Sequence, residues 1–309
     1  MLGISDIGTY ICSDKISNFD RKTDFDINDE FIKEKIGFQS LSKSSDEEKT
    51  STLCLKAFEK IKHKIDLSNI DCLILISQNP DVKIPHTSAI LHNKLNLSKN
   101  CACFDVGLGC SGYVYGLSII LSFMQNNNLK HGLLFTCDPY RKIIDNNDKN
   151  TSLLFGDGAS VSYISKDYKY KIKSFKFGTD GSKYTSILCE KDILSMNGRG
   201  VFEFSATTIP KHIMDFLQEE QINFNNIDRF IFHQGSKYIV DTLRQRLKLD
   251  EEKVPFDANF YGNTVSSSIP ILLENEFQKE KCYNNILISG FGTGLSWASA
   301  ILQGKEDED

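Results

Sequence analysis

The chain has 309 residues, 40% of them hydrophobic and 25% charged, which places it among ordinary globular proteins and not among disordered, collagen-like or membrane chains. At about 150 residues per domain, the length gives two domains or one large α/β unit, either with a sizeable core. Thirty-six Lys and Arg against 41 Asp and Glu leave a net charge of −5, which argues against a surface basic all over and built for nucleic acid.

In chain order, residues 1–15 lack a basic region followed by an apolar one, so no secretory signal is expected. A helix is predicted over 47–64, where Leu53, Ala57, Phe58 and Ile61 recur at helical spacing. Continuous apolar runs at 73–77, 132–136, 230–232 and 286–289 read as strands buried on both faces. A further strand at 101–105 precedes a helix over 111–125, and two more helices are expected at 209–220 and 237–247. The longest apolar run, 113–124, contains one Gly and two Ser. It is too short for the ~20 residues that cross a bilayer, so no membrane insertion is expected. Nine cysteines, an odd number without framework spacing, fit a reducing compartment and a cytoplasmic protein. The charge clusters at 42–49 and 304–309 read as solvated.

The two halves echo each other. Leu67-Ser-Asn-Ile-Asp-Cys-Leu-Ile-Leu-Ile-Ser77 is matched by Phe224-Asn-Asn-Ile-Asp-Arg-Phe-Ile-Phe-His-Gln234. Phe104-Asp105 precedes a Gly-rich turn ending at Cys110, as Phe256-Asp257 precedes one ending at Asn263, and a helix candidate follows each. Gly turns after Phe155 and Phe291 both run into apolar strands. Three landmarks in the same order predict a duplicated α/β unit, roughly 1–165 and 166–309, with an extra loop near 138–151 in the first copy.

Cys110 lies in Gly107-Leu-Gly-Cys-Ser-Gly-Tyr-Val-Tyr-Gly116, between a strand and an apolar helix. A thiol at a helix start meets the positive end of the helix dipole and unpaired amides, which lower its pKa, so it is the candidate nucleophile. The other eight cysteines read as small buried hydrophobes, and Cys101-Ala-Cys103 lacks zinc-ligand spacing. Of six histidines, His233 ends a strand at the edge where α/β sheets hold ligands, and the other five read as surface residues. Asn263 occupies in the second half the place of Cys110 in the first; on its own, Asn-Thr before Ser residues would read as a helix cap. Gly290-Phe-Gly-Thr-Gly294 is a turn able to aim an amide at an oxyanion.

At these residues, together with Leu154-Phe-Gly-Asp-Gly-Ala-Ser160, Met196-Asn-Gly-Arg-Gly-Val-Phe202, Phe232-His-Gln234, Tyr261-Gly-Asn-Thr264 and Ser268-Ile-Pro270, the sequence resembles the β-ketoacyl-acyl-carrier-protein synthase III family of the thiolase superfamily. The resemblance spans nearly the whole chain. It implies a thiolase-like α/β fold, a duplicated five-layered αβαβα arrangement, and a homodimer with a Cys110, His233, Asn263 centre. Synthases of types I and II carry a second His where this chain has Asn263, thiolases a second Cys near the last glycine turn, and hydroxymethylglutaryl synthases a Glu near 78–91. None of these is present.

The implied chemistry is acylation of Cys110 by an acyl thioester, with the amides of Cys110 and Thr293 as oxyanion hole. Decarboxylation of a malonyl thioester then follows, its carbonyl held by His233 and Asn263, with no metal or redox cofactor. The expected partners are small acyl thioesters and an acidic acyl carrier protein. Lys237, Arg244 and Lys248 fall at helical spacings of seven and four, forming a basic face that would receive the carrier. Three departures stand out. Phe31 begins Phe31-Ile-Lys-Glu-Lys35 where coenzyme A-loading relatives often have a Trp, which implies weaker coenzyme A recognition. Tyr238 replaces an Arg often found five residues after the His, and Ile84 stands where the family often presents a Phe from the partner subunit to the acyl pocket. The rival readings are plain acyl transfer to an amine or hydroxyl, an inactive subunit of a heterodimer, and a papain-like Cys-His-Asn protease, whose Cys-Gly-Ser-Cys-Trp context is missing.

Overall fold

The computed structural model describes residues 1–279 and 283–305. The strands are β1 (Gly3–Ile11), β2 (Asp14–Ser17), β3 (Ser40–Lys43), β4 (Cys72–Ile76), β5 (Ala102–Val106), β6 (Gly132–Cys137), β7 (Gly158–Ser165), β8 (Tyr170–Thr179), β9 (Ile187–Glu190), β10 (Ile193–Met196), β11 (Arg229–Phe232), β12 (Asn285–Gly292) and β13 (Ser296–Gly304). The helices are α1 (Lys22–Phe25), α2 (Thr50–Phe58), α3 (Thr87–Lys94), α4 (Gly112–Asn126), α5 (Lys149–Ser152), α6 (Gly198–Glu219), α7 (Lys237–Leu247) and α8 (Ser268–Phe277). Among the described residues no helix is long and apolar enough to cross a membrane.

Nine strands form one sheet in the order β11-β12-β13-β8-β1-β7-β6-β4-β5, joined in the middle by a short seam in which Gly3 and Ile4 of β1 meet Lys171 and Tyr170 of β8. On one side β4 is parallel to β5 and β6, and β7 is antiparallel to β6 and β1. On the other, β11 is parallel to β12, and β13 is antiparallel to β12 and β8.

The strand sequences explain the layering. Side chains alternate between faces, and both faces of these strands are apolar. In β4, Ile74 and Ile76 enter a central cluster while Leu73 and Leu75 enter an outer one. In β11 and β12, Ile231, Ile286 and Ile288 enter the same central cluster, whereas Phe230, Phe232 and Leu287 point to the opposite outer side. Helix α4 packs on β4, β6, β12 and β13, and α8 on β1, β7, β11 and β12, so this helix pair lies between the two wings of the sheet. Helices α2 and α3 cover one outer face, and α6 and α7 the other. The result is a five-layered αβαβα stack. Close approach at its centre requires Gly112, where a Cβ would lie 2.4 Å from Ile76 Cγ2.

Helix α2 stops at Phe58, short of the predicted 64, because the chain tightens into 3₁₀ turns that drop Ile61 and Ile65 into the α2 cluster. Helix α6 starts eleven residues before the expected 209, capped by Asn197, whose side chain accepts from Gly200 N at 3.0 Å. The expectation that five histidines are surface residues fails at His212, which α6 buries against Phe216 and Trp297. Cys189 is exposed and Cys103 half-buried, against the expectation for both; Cys12, Cys54, Cys72, Cys101 and Cys137 are buried. Cys282 and tail residues 306–309 lie outside the described residues.

Burial and nearby Lys176 push His212 down from 6.5 to about 4, against the opposing pull of Asp215 and Glu219. The unfolded chain therefore binds this proton more readily than the folded one. The stability tied to a neutral His212 is complete above about pH 6.5 and is lost as pH falls toward 4, on the order of 3 kcal/mol in all. Denaturant melts at pH 7 and pH 5 are expected to show a smaller acid loss in His212→Gln than in the native chain; equal losses would remove His212 as a cause.

Candidate active site

Cys110 sits between the end of β5 and the start of α4. His233 directly follows β11, its backbone N donating to Ser289 O of β12 at 2.9 Å. Asn263 lies in the loop before α8, where Asn263 N donates to Leu154 O at 2.8 Å and Gly156 N donates to Asn263 O at 2.9 Å. Two segments tie the three residues together. The end of β12 passes Cys110 so closely that a Cβ on Gly292 would lie 2.9 Å from its Sγ, while the adjacent Phe291 packs edge-to-face on the His233 ring at 5.7 Å. Val265 shares an apolar cluster with Cys110, and its N–H donates to Asn263 Oδ1 at 2.8 Å. All three side chains are buried, at 6%, 3% and 4% exposure for Cys110, His233 and Asn263.

The Val265 contact assigns the orientation of the Asn263 amide. With Oδ1 occupied, Nδ2 is the group left to donate. Ser268 Oγ lies 2.7 Å from His233 Nδ1, fixing the imidazole. Burial pushes His233 down to about 3, with the Val265 backbone acting in the opposite direction, so the ring is neutral. The backbone amides of Cys110 and Thr293 both act on the Cys110 sulfur and favour its thiolate. Burial, aided by the charge of Asp138, outweighs them and pushes the thiol up to about 12. The lowered pKa expected from the helix start is thus reversed, because a thiolate here would lose more hydration than the amides return. Alkylation of Cys110 by iodoacetamide, followed by peptide mass analysis, is expected to accelerate continuously through pH 9; a plateau below pH 8 would contradict a thiol held this high.

Several site residues escaped the sequence. Asp138 follows β6 and is fully buried, accepting from Gln78 N at 2.7 Å and from Ser266 Oγ; burial raises it to about 6. Its place after a strand is the signal that singled out His233, and the same rule applied to β6 would have found it. Tyr140, Ile187, Leu194 and Val265 pack with Cys110 and Phe155 in one apolar cluster drawn from separate segments of the chain. Ile84 is outside this cluster and 88% exposed.

The residues expected to meet a carrier or coenzyme A come from two elements that pack together. The π-helical turn Phe31–Ile36 packs on α7. Lys149 Nζ stands 5.2 Å over Phe31, and Lys35 Nζ 4.3 Å over Tyr238. Lys237 is 3.0 Å from both Glu34 and Asp241, and Arg244 Nε is 3.9 Å from Asp241, so two of the three expected cations already have acidic neighbours. Lys248 caps α7 beyond its last turn and is exposed.

The structure thus ties a buried thiol, a neutral buried imidazole and a buried amide together through β12 and Val265. Residues 104–181 match the family model of 3-oxoacyl-(acyl-carrier-protein) synthase III, and 217–303 match the model of its C-terminal region. The chain is 31% identical over 307 residues to the β-ketoacyl-acyl-carrier-protein synthase III of Bacillus pumilus, covering 97% of this chain and 98% of the relative. The chain belongs to this family. The synthase III of Neisseria gonorrhoeae is 30% identical over 315 residues, with the same coverage. The solved synthase III of Thermus thermophilus superposes with a TM-score of 0.90 at 28% identity, covering 98% of this chain and 99% of that one. The five-layered stack is accordingly the thiolase-like fold of the synthase III family.

Proposed function

We propose that this chain catalyses the decarboxylative condensation of an acyl thioester with a malonyl thioester, serving fatty acid or specialised acyl-chain synthesis. The observation that carries the reading is the way Gly292 and Phe291 of β12, together with Val265, tie the buried Cys110, His233 and Asn263 to one another. Cys110 sulfur attacks the acyl carbonyl while its proton passes to neutral His233, and the two amides hold the oxyanion. The carrier or coenzyme A thiolate leaves and takes that proton back from His233, giving acyl-Cys110 and restoring the neutral imidazole. A malonyl thioester then enters, and His233 and the Asn263 amide hydrogen-bond its thioester carbonyl. Carbon dioxide leaves, and the electron pair of the broken bond forms an enolate. The enolate carbon attacks acyl-Cys110, a carbon–carbon bond forms, and the Cys110 thiolate leaves and is reprotonated. No resident cofactor takes part.

The remaining expectations join this reading. The chain is two copies of one α/β unit, 1–165 and 166–309, sharing a site. It works in the cytoplasm as a homodimer, a state supported by the outer edge of β5, unpaired among the described residues, and by the exposure of Ile84. Acyl carrier protein docks beside Phe31, Lys35, Lys237, Arg244 and Lys248. The neighbouring Glu34 and Asp241 support a weak, salt-sensitive encounter.

The test is intact-mass analysis after exposure to acyl-coenzyme A and acyl-carrier donors, followed by malonyl-carrier protein. An acyl adduct that is consumed with release of carbon dioxide and a 3-oxoacyl product supports condensation. An adduct that persists, or passes only to an amine or hydroxyl, moves the assignment to plain acyl transfer.

A further inference from the structure

Val265 has a φ of 54°, in the left-handed region that a β-branched residue rarely enters, and it is fully buried in the Cys110 cluster. The conformation has a use: it is in this turn that Val265 N–H donates to Asn263 Oδ1 and leaves the Asn263 Nδ2 free to donate elsewhere. Such a residue stays left-handed only where its surroundings over-determine it. Three consecutive buried serines supply that here. Ser268 Oγ lies 2.7 Å from His233 Nδ1. Ser267 Oγ lies 2.8 Å from Thr136 Oγ1 of β6 and donates to Thr136 O at 3.1 Å. Ser266, directly after Val265, donates its hydroxyl to the Asp138 carboxylate, and its backbone N–H favours the same carboxylate. Asp138 is itself fixed, because it is fully buried and its other oxygen accepts from Gln78 N at 2.7 Å. The Ser266 hydroxyl therefore ties the residue beyond Val265 to the segments that follow β4 and β6.

We propose that Ser266 and Asp138 are positioning residues of the decarboxylation step: their buried hydrogen bond holds the left-handed Val265 turn and so aims the Asn263 amide at the malonyl thioester carbonyl. The proposal rests on the condensing reading for the identity of the step, while the turn itself is independent of it. Without the Ser266 hydroxyl, Val265 relaxes toward ordinary backbone, its N–H swings away from Asn263 Oδ1, and the amide is free to rotate. Acylation is spared. The backbone of Cys110 and Thr293 belongs to other segments, and Ser268 and Phe291 still hold the His233 ring.

The test uses the full chain, with thermal melts confirming that each variant is folded, and reads two rates and one structure. The rates are acylation of the Cys110 peptide by acetyl-coenzyme A, followed by mass, and carbon dioxide release from malonyl-carrier protein at saturation. Ser266→Ala is expected to slow carbon dioxide release at least about tenfold while acylation stays within about twofold of native, since a small misplacement of one donor is felt only by the step that uses it. Asp138→Asn is the conservative variant. Its amide still accepts from Gln78 N and donates to Ser266 Oγ, so it is expected to lose less than Ser266→Ala. The crystal structure of Ser266→Ala is expected to show Val265 at negative φ, with Asn263 Oδ1 no longer on Val265 N. Native carbon dioxide release in Ser266→Ala, or acylation falling in step with it, overturns the proposal. So does a loss in Asp138→Asn equal to that in Ser266→Ala, because the carboxylate charge and not the bond would then matter. If the native chain neither loads an acyl group nor releases carbon dioxide, the condensing reading fails, and the crystal structure decides the clamp alone: an opened turn retains it and an unchanged turn overturns it. Should Ser266→Ala fail to fold, Ser266→Cys, similar in size but only a weak donor, reads the bond through the same rates and the same turn.

Discussion

Cys110→Ala is expected to lose every acyl adduct and to lower condensation at least about 10⁴-fold, while the fold survives. The loss is total in kind because, among the described residues, no second thiol belongs to the Cys110 cluster: Cys189 is exposed, Cys103 is half-buried on β5, and Cys12, Cys54, Cys72, Cys101 and Cys137 are packed in the interior. The structural cost is small, since the substitution removes one sulfur atom and should cost about 1 kcal/mol or less. With the thiol near 12 and the imidazole near 3, the resting pair is neutral, and the thiolate forms only as the acyl carbonyl is engaged. Cys110→Ser keeps an atom under both amides but makes its proton far harder to remove, so it should fall close to the alanine variant. The measurement is the acyl-adduct mass together with the rate of 3-oxoacyl product formation. An adduct persisting on Cys110→Ala would place the nucleophile elsewhere.

What could be read from the sequence was set by range. Strands such as β4 and β12 were legible because burial on both faces leaves an uninterrupted apolar run. Strand β8 was not, because Lys171, Lys173 and Lys176 break its run and it is only half-buried. Helix α7 could be placed to the residue from its apolar stripe, Val240, Leu243 and Leu247. Its basic face could not be judged in the same way: Glu34, which meets Lys237, lies 203 residues earlier. The nucleophile, histidine and asparagine announced themselves through turns and strand ends. The pocket around them did not, because Tyr140, Ile187 and Leu194 converge only in three dimensions. The same holds for the sign of the Cys110 shift. A helix start is visible in sequence; the burial and the Asp138 charge that override it are tertiary.

Separating acylation from condensation is the sharper demand on the site, and Asn263→Asp should achieve it. The native Asn263 Oδ1 accepts from Val265 N, and a carboxylate oxygen can keep that bond, so the loop before α8 should hold its shape. What changes is the second atom of the amide. In place of an N–H donor, the variant presents an oxygen that is negative when ionised, toward a carbonyl whose oxygen gains charge as carbon dioxide leaves. Loss of one such donor costs about 10²–10³ in rate, and a like charge adds to the penalty. Cys110 should still acylate at nearly the native rate, because the proposed oxyanion hole, the backbone of Cys110 and Thr293, is untouched. The acyl-enzyme is therefore expected to accumulate in the presence of malonyl-carrier protein, with carbon dioxide release suppressed. His233→Ala should suppress decarboxylation as well and, by removing the acceptor for the thiol proton, slow acylation too. The split between the two variants is the diagnostic: Asn263→Asp blocked at the second step only, His233→Ala slowed at both. Native decarboxylation in Asn263→Asp would show that the enolate is stabilised without this amide.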